Sequence, residues 1–345
     1  MSTDAVGGVW TYAAELGAAL AAVGVEVVLA TLGPSPPPQA GVAYRRCRLE
    51  WQEEPWEDVR ASGAWLRELA EDERVALVHL NGYAHGALPW HVPAVVVGHS
   101  CVLSWHEAVR GEPAGSPWRR YETAVAAGLR GADAVVAPTI AMRSALLALY
   151  GFDGDCCVIP NGVSPHPSQR DDAKRQLVLG AGRLWDEAKG LRTLDAAAGR
   201  IGWPVAVAGD AGGASARHVR LLGQLDRQAL RARMGRAAIF AHPARYEPFG
   251  LVVLEAALAG CALVLGDIPS LREQWDGAAL FVAPGDDAAL AAALARLIDD
   301  GGLRGTLASR AGRRARRNDA RTMAGAYAAL YRRLAAHGCG RTVAA

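Results

Sequence analysis

Two patterns of apolar and polar positions alternate along the chain. Short unbroken apolar runs predict strands over Glu26–Thr31, Ala76–Leu80, Ala94–Gly98, Ala134–Ala137, Cys157–Pro160, Gln176–Ala181, Val205–Ala208, Val219–Leu222, Ala238–His242, Ala262–Gly266 and Ala279–Val282. Between them, apolar residues recur at helical spacing, as in Trp10–Val23, Pro117–Arg130, Ile140–Tyr150 and Leu251–Ala259. Continuous apolar strands joined by helical crossovers predict parallel sheets covered on both faces. So many strands exceed what one sheet usually holds, so the pattern predicts two doubly wound α/β domains. The polar, proline-containing stretch Asn161–Gln169 is the expected boundary.

The 345 residues fit two domains of ~150 residues. Lys plus Arg number 37 and Asp plus Glu 35, a balance that argues against nucleic acid as the main partner. No stretch approaches the ~18 apolar residues of a membrane span, and MSTDAVGGVW has no apolar signal-peptide core. The six cysteines (Cys47, Cys101, Cys156, Cys157, Cys261, Cys339) contain no C-x-x-C and read as reduced thiols of a cytoplasmic protein. Pro34–Pro38 reads as a stiff surface loop, and Arg313–Arg317 as a solvated face opening the last helix. Gly7-Gly8 stand where a first strand should already have ended, yet only Met1–Val6 precede them. The expectation is a shortened strand there, with a natural reading frame that begins upstream.

Two clusters carry the chemistry. Glu247 lies in RYEPFG after a strand, and Glu255 follows two turns into the next helix, an E-x7-E spacing. The backbone N–H groups of Phe249, Gly250, Leu251 and Val252 then open a helix, an arrangement suited to an anion. On spacing alone, two capping or surface glutamates are the favoured reading. In the second cluster, the strand QLVLGAG runs into Arg183 and Lys189, where open α/β sheets bind ligands. A guanidinium and an ammonium there suit a diphosphate. The third position of G-x-G-x-x-G is Trp185, so the nicotinamide fingerprint fails, and no G-x-x-x-x-G-K-[ST] exists for a P-loop.

Together, Gly7-Gly8, GAGRLWDEAKG and EPFGLVVLE resemble a retaining glycosyltransferase of the GT-B fold, most closely glycosyltransferase family four. AVVAPT, VIPNGV, AVAGD, RHVRLLGQL and DIPSLREQWDGAALFVAPGD match in the same order. The resemblance implies two Rossmann-like domains facing a cleft: residues 1–165 on the acceptor side, 166–319 binding the donor, and a helix over 320–338 returning to the first domain. It implies that Arg183 and Lys189 neutralise a nucleotide diphosphate as it leaves. Glu247 would contact the donor sugar beside the reacting carbon, and Glu255 would accept from both ribose hydroxyls. Phe249 and Gly250 would reach the sugar, Leu251 and Val252 the phosphates. Leu222, Gly223 and Leu225 would frame the base, and Gly7 and Gly8 would let the first loop approach the donor. His99 matches a histidine aimed at the donor sugar.

The implied reaction moves a hexose from a UDP-, GDP- or ADP-sugar to a carbohydrate or lipid-linked acceptor. It retains configuration and uses neither metal nor cofactor, since no D-x-D occupies a metal-site position and Asp286-Asp287 read as a helix cap. The alternative is a silent nucleotide-sugar-binding protein. Seven of the ten tryptophans precede residue 120. Trp105 and Trp118, in a segment that reads as a loop after His99, are the candidates to stack on an acceptor. Arg119 and Arg120 beside them give that loop a second reading, weak contact with a membrane surface.

Overall fold

The structure is a computed structural model that describes residues 1–338 apart from 6, 37, 38, 40, 153 and 165–173. The chain divides into two compact units, Met1–Gly162 with the chain from Ala320, and Val163–Asp319. Part of the expected boundary, 165–169, and Cys339 lie outside the described residues.

In the first unit the order is β1 (Ser2–Asp4), α1 (Gly8–Ala21), β2 (Ala30–Gly33), β3 (Ala43–Arg46), α2 (Trp56–Asp72), β4 (Val78–Leu80), β5 (Ala94–Val97), α3 (Val102–Arg110), α4 (Arg119–Gly131), β6 (Ala134–Ala137), α5 (Ile140–Tyr150) and β7 (Cys156–Val158). The second unit holds β8 (Arg175–Ala181), α6 (Leu191–Ala198), β9 (Val205–Ala208), β10 (Val219–Leu221), α7 (Arg227–Arg236), β11 (Ala237–His242), α8 (Leu251–Leu258), β12 (Ala262–Gly266), α9 (Pro269–Trp275), β13 (Ala279–Val282), α10 (Asp287–Asp299) and α11 (Gly301–Ala315). The last helix, α12 (Ala320–Gly338), returns to the first unit and packs on α1, burying Met323, Tyr327 and Leu330.

All strand pairs are parallel, as unbroken apolar runs require. The second unit forms one six-stranded sheet in the order β10-β9-β8-β11-β12-β13. Two apolar layers cover its faces. One contains Phe240, Leu254 and Trp275, the other Ile239, Leu194 and Leu294. Adjacent Phe240 and Ile239 belong to opposite layers, as alternate residues of a strand must. The order reverses between β8 and β11, and such a switch point opens a crevice at the strand carboxyl ends.

The first unit has two sheets, β1-β2-β3 and β4-β5-β6-β7. β1 spans three residues and, among the described residues, pairs with β2 only. Strands expected from Glu26 and Ala76 begin at Ala30 and Val78. The residues ahead of them, Glu26 to Val28 and Ala76 to Leu77, line a cavity of about 800 Å³, and Val28 O accepts from the Met1 amino group at 2.6 Å. β3 was not anticipated; its sequence AYRR is half-exposed at a sheet edge.

Three other expectations change. The segment after His99 is helical: Cys101 Sγ accepts from Ser104 N and Gly111 closes α3 in the left-handed region. Arg313 and Arg314 end α11 and do not open the last helix. Phe249 lies outside α8, which begins at Leu251 behind Gly250. Asp286 does cap α10, accepting from Ala289 N. The five described cysteines are free thiols.

Candidate functional site

In the second unit the sequence-derived residues gather at the carboxyl ends of the strands. Arg183 and Lys189 follow β8, Glu247 follows its neighbour β11, and Leu222 to Leu225 follow β10. The loops after β8 and β11 are tied directly, since Arg245 N donates to Ala188 O at 2.8 Å. Gly190 closes the approach. Its φ is 69°, and a Cβ there would meet the Pro243 carbonyl oxygen, so only glycine fits.

Glu247 is largely buried and ion-paired. Lys189 Nζ and His242 Nε2 each lie 3.0 Å from Oε2, while Oε1 has no protein partner among the described residues. Burial alone would push the carboxyl up, but the Lys189 ammonium and the His242 contact outweigh it and hold Glu247 well below the usual carboxylate range. The turn that carries Glu247 is held from α9. Ser270 Oγ donates to Glu247 O at 2.5 Å, and Gln274 Nε2 donates to Phe249 O at 2.7 Å.

Gly250, at φ 86°, turns the chain into α8. Leu251 and Val252 occupy the first turn, where backbone N–H groups have no partner four residues back. Their helix dipole favours an anion. Lys189 is therefore the cation nearest the carboxylate, and its ammonium is committed to Glu247. Arg183 is more open, with 38% of its side chain exposed; it pairs with Asp186 at 3.4 Å and lies over the Trp185 ring.

Glu255 is also buried. Arg227 and Arg231, one turn apart on α7, reach the same oxygen, Oε1, at 2.9 and 3.1 Å. Oε2 has no protein partner among the described residues and is the oxygen left to accept. His242 and the two arginines were not read from the sequence. A histidine ending an otherwise apolar strand, five residues before Glu247, was the available signal for the first; the arginines lie 28 and 24 residues from Glu255 and gave none.

The first unit holds Gly7, Gly8, His99, Trp105 and Trp118. Gly7 stands ahead of α1 with φ 78°. His99 follows β5, and its Nε2 is 2.8 Å from Asn81 Oδ1. Burial pulls its imidazole down to about 3, so it is neutral. Trp105 and Trp118 are half-buried and joined edge-on through His106, with Arg110 over Trp105. Among the described residues no group of three or more His, Cys, Asp or Glu is placed to hold a metal ion, and no helix is long and apolar enough to cross a membrane.

Solved structures share this architecture. Sucrose-phosphate synthase from Thermosynechococcus elongatus aligns with a TM-score of 0.77 at 23% identity, over 95% of this chain and 93% of that one. An Anabaena protein, HepE, solved with UDP-glucose, aligns at 0.69 and 21% identity over 88% and 92%. The fold is thus that of the GT-B glycosyltransferases. Sequence comparison is more specific: the pattern of Glycosyltransferase Family 4 matches residues 6–166, and that of Glycosyl transferases group 1 matches 175–300. The two parts of the chain thus match two glycosyltransferase family models in succession. Glycogen synthase from Mycobacterium tuberculosis is 30% identical over 270 residues, which are 69% of this chain and 64% of that protein. A phosphatidyl-myo-inositol mannosyltransferase from Mycolicibacterium smegmatis is 38% identical over 115 residues, 32% of this chain and 29% of that protein.

Proposed function

We propose that the protein transfers a hexose from a nucleotide diphosphate sugar to a carbohydrate or lipid-linked acceptor with retention of configuration and without a metal ion. The observation that carries this reading is the set at the β8/β11 switch point. A largely buried Glu247, Lys189 at 3.0 Å, Arg183 and the first turn of α8 converge there. Cleavage of the bond between the sugar and the diphosphate leaves its electron pair on a phosphate oxygen. Two cations and unpaired N–H groups fixed in advance stabilise that charge as it develops. The sugar becomes oxocarbenium-like, and the carboxylate of Glu247, kept ionised by Lys189 and His242, stabilises it.

Glu255 takes the ribose hydroxyls through Oε2, Leu222, Gly223 and Leu225 frame the base, and Phe249 and Gly250 meet the sugar. Gly7 and Gly8 admit the donor closely, and His99 takes a donor hydroxyl. Trp105 and Trp118 contribute to acceptor binding. Relatives named as a glycogen synthase and a phosphatidyl-myo-inositol mannosyltransferase favour a glucan or a lipid-linked acceptor. The test is a thermal-shift screen against UDP-, GDP- and ADP-hexoses, followed by turnover with the stabilising donor. Stabilisation by none of them, or stabilisation without any transfer or donor hydrolysis, overturns the proposal.

A further inference from the structure

The first unit contains a chain of polar contacts centred on Asn81, the residue after β4. Asn81 Nδ2 donates to the carbonyl of Ser2 at 2.7 Å, and the Asn81 backbone N–H donates to Ser2 Oγ at 3.1 Å. A backbone carbonyl only accepts, so the amide end facing Ser2 is the nitrogen and the other end is the oxygen. That oxygen, Oδ1, faces two imidazole nitrogens: His99 Nε2 at 2.8 Å and His79 Nε2 at 3.2 Å. An amide oxygen has no proton to give, so both ring nitrogens must donate to it.

A neutral imidazole carries one N–H. His99 with its proton on Nε2 has a bare lone pair on Nδ1, and Nδ1 has no protein partner among the described residues. His79 obeys the same constraint and completes it: its Nδ1 accepts from Tyr331 O–H at 2.5 Å. The groups that face the pair are Tyr12 of α1, Tyr327 and Tyr331 of α12, and the Met1 amino group beside His79, none of them a carboxylate that would favour an imidazolium. Burial accordingly takes both rings down to about 3.

We propose that Asn81 is a positioning residue that locks His99 in its Nε2–H tautomer, so that Nδ1 is a permanent hydrogen-bond acceptor for a hydroxyl of the donor sugar. The tautomer stands on the hydrogen bonds alone; the hydroxyl rests on the transferase reading above. A bare lone pair accepts from a hydroxyl and repels a carboxylate, so at that position the site selects a neutral hexose over a sugar acid.

The test uses the full chain labelled with ¹⁵N-histidine. Long-range ¹H–¹⁵N spectra, assigned with H99Q and H79Q, should show His99 with protonated Nε2 and bare Nδ1 throughout pH 5.5–8. A protonated Nδ1, or an imidazolium within that range, overturns the proposal. N81D preserves size and places a carboxylate against both rings. It should bring His99 to the imidazolium near neutral pH and lower kcat/KM for the cognate UDP-, GDP- or ADP-hexose about tenfold, the loss of one hydrogen bond. That loss should shrink as pH rises, which a merely structural defect would not do. Unchanged N81D kinetics across pH, with the wild-type tautomer as stated, overturns the positioning role. A wild-type chain that has the tautomer but turns over none of the three nucleotide sugars overturns the transferase reading instead.

Discussion

Replacing Lys189 should injure the protein in two separable ways, and replacing Arg183 in only one. Lys189 is 11% exposed and Glu247 14% exposed, and their ion pair spans 3.0 Å. Breaking a buried pair by removing one partner leaves an uncompensated charge and costs about 3–5 kcal/mol. His242 remains on the same carboxylate oxygen, so Lys189→Met should sit at the low end, about 3 kcal/mol. In a unit the size of Val163–Asp319 that corresponds to a fall in Tm of roughly 6–12 °C. Arg183→Met loses a single pair at 3.4 Å whose arginine end is 38% exposed, and buried Asp186 keeps its bond from Ala188 N, so the change should cost no more than about 1 kcal/mol. In catalysis the two should look alike. Each removes a cation from the departing diphosphate, and kcat/KM should fall at least ~100-fold, about 2.7 kcal/mol. Lys189→Met alone should also move the acid limb of the pH profile upward, because the ammonium that holds the Glu247 carboxyl low is gone. Differential scanning calorimetry and steady-state kinetics on the two variants decide the matter. Equal Tm values refute the burial argument, and near-normal transfer by both refutes the diphosphate assignment.

Three further outcomes are expected. Gly190→Ala should destabilise by about 2–3 kcal/mol, since φ 69° strains any side chain and the new Cβ meets the Pro243 carbonyl oxygen; a urea midpoint equal to wild type would contradict this. Transfer should persist in EDTA, because fixed cations and the first turn of α8 take the leaving charge; loss on chelation that Mg²⁺ or Mn²⁺ restores would refute metal independence. Stability against urea should fall as pH drops from 6.5 towards 3. His79 and His99 stay neutral in the fold, with values near 3, and take protons in the unfolded chain below about 6.5, so their contribution is complete above that value and is lost below it. His99→Gln should flatten that slope, and an unchanged slope would show that His99 is not held neutral by the fold.

The second unit was the more legible from sequence, for a physical reason. Its inner strands β9 and β12 are buried throughout, so each is a solid apolar run, and Val205–Ala208 and Ala262–Gly266 were read to the residue, as was the partly buried edge strand Ala279–Val282. The E-x7-E spacing placed Glu247 before the helix start and Glu255 inside the helix, although α8 begins late enough that Glu255 lies little more than one turn in. Where burial is one-sided the reading failed: β3 carries two arginines at an edge, and α3 mixes tryptophan, histidine and glutamate in a way that resembles a loop. Partnerships across distant sequence were also invisible. Nothing local says that Glu247 meets His242 and Lys189 through one oxygen, or that Asn81 orients His99 from another strand. Those contacts exist only once parallel strands bring their carboxyl ends together.

The residues that begin and end the second unit lie side by side. Val163 N donates to Asn318 O at 3.1 Å, and Val163 and Asp319 form a parallel bridge. Topologically the unit is therefore an insertion, entered and left at a single gate, and α12 is the resumed thread of its host. Such a segment can be treated as a cassette. Cutting at Gly162 and Ala320 and joining them with a few flexible residues asks the host to span only the gap of one strand pair, about 5 Å. The excised 163–319 piece, its two termini already adjacent, is suited to circular permutation or to transplantation between relatives. On the proposal that the second unit binds the donor, a chimera that exchanges this cassette should exchange the nucleotide preference while keeping the acceptor.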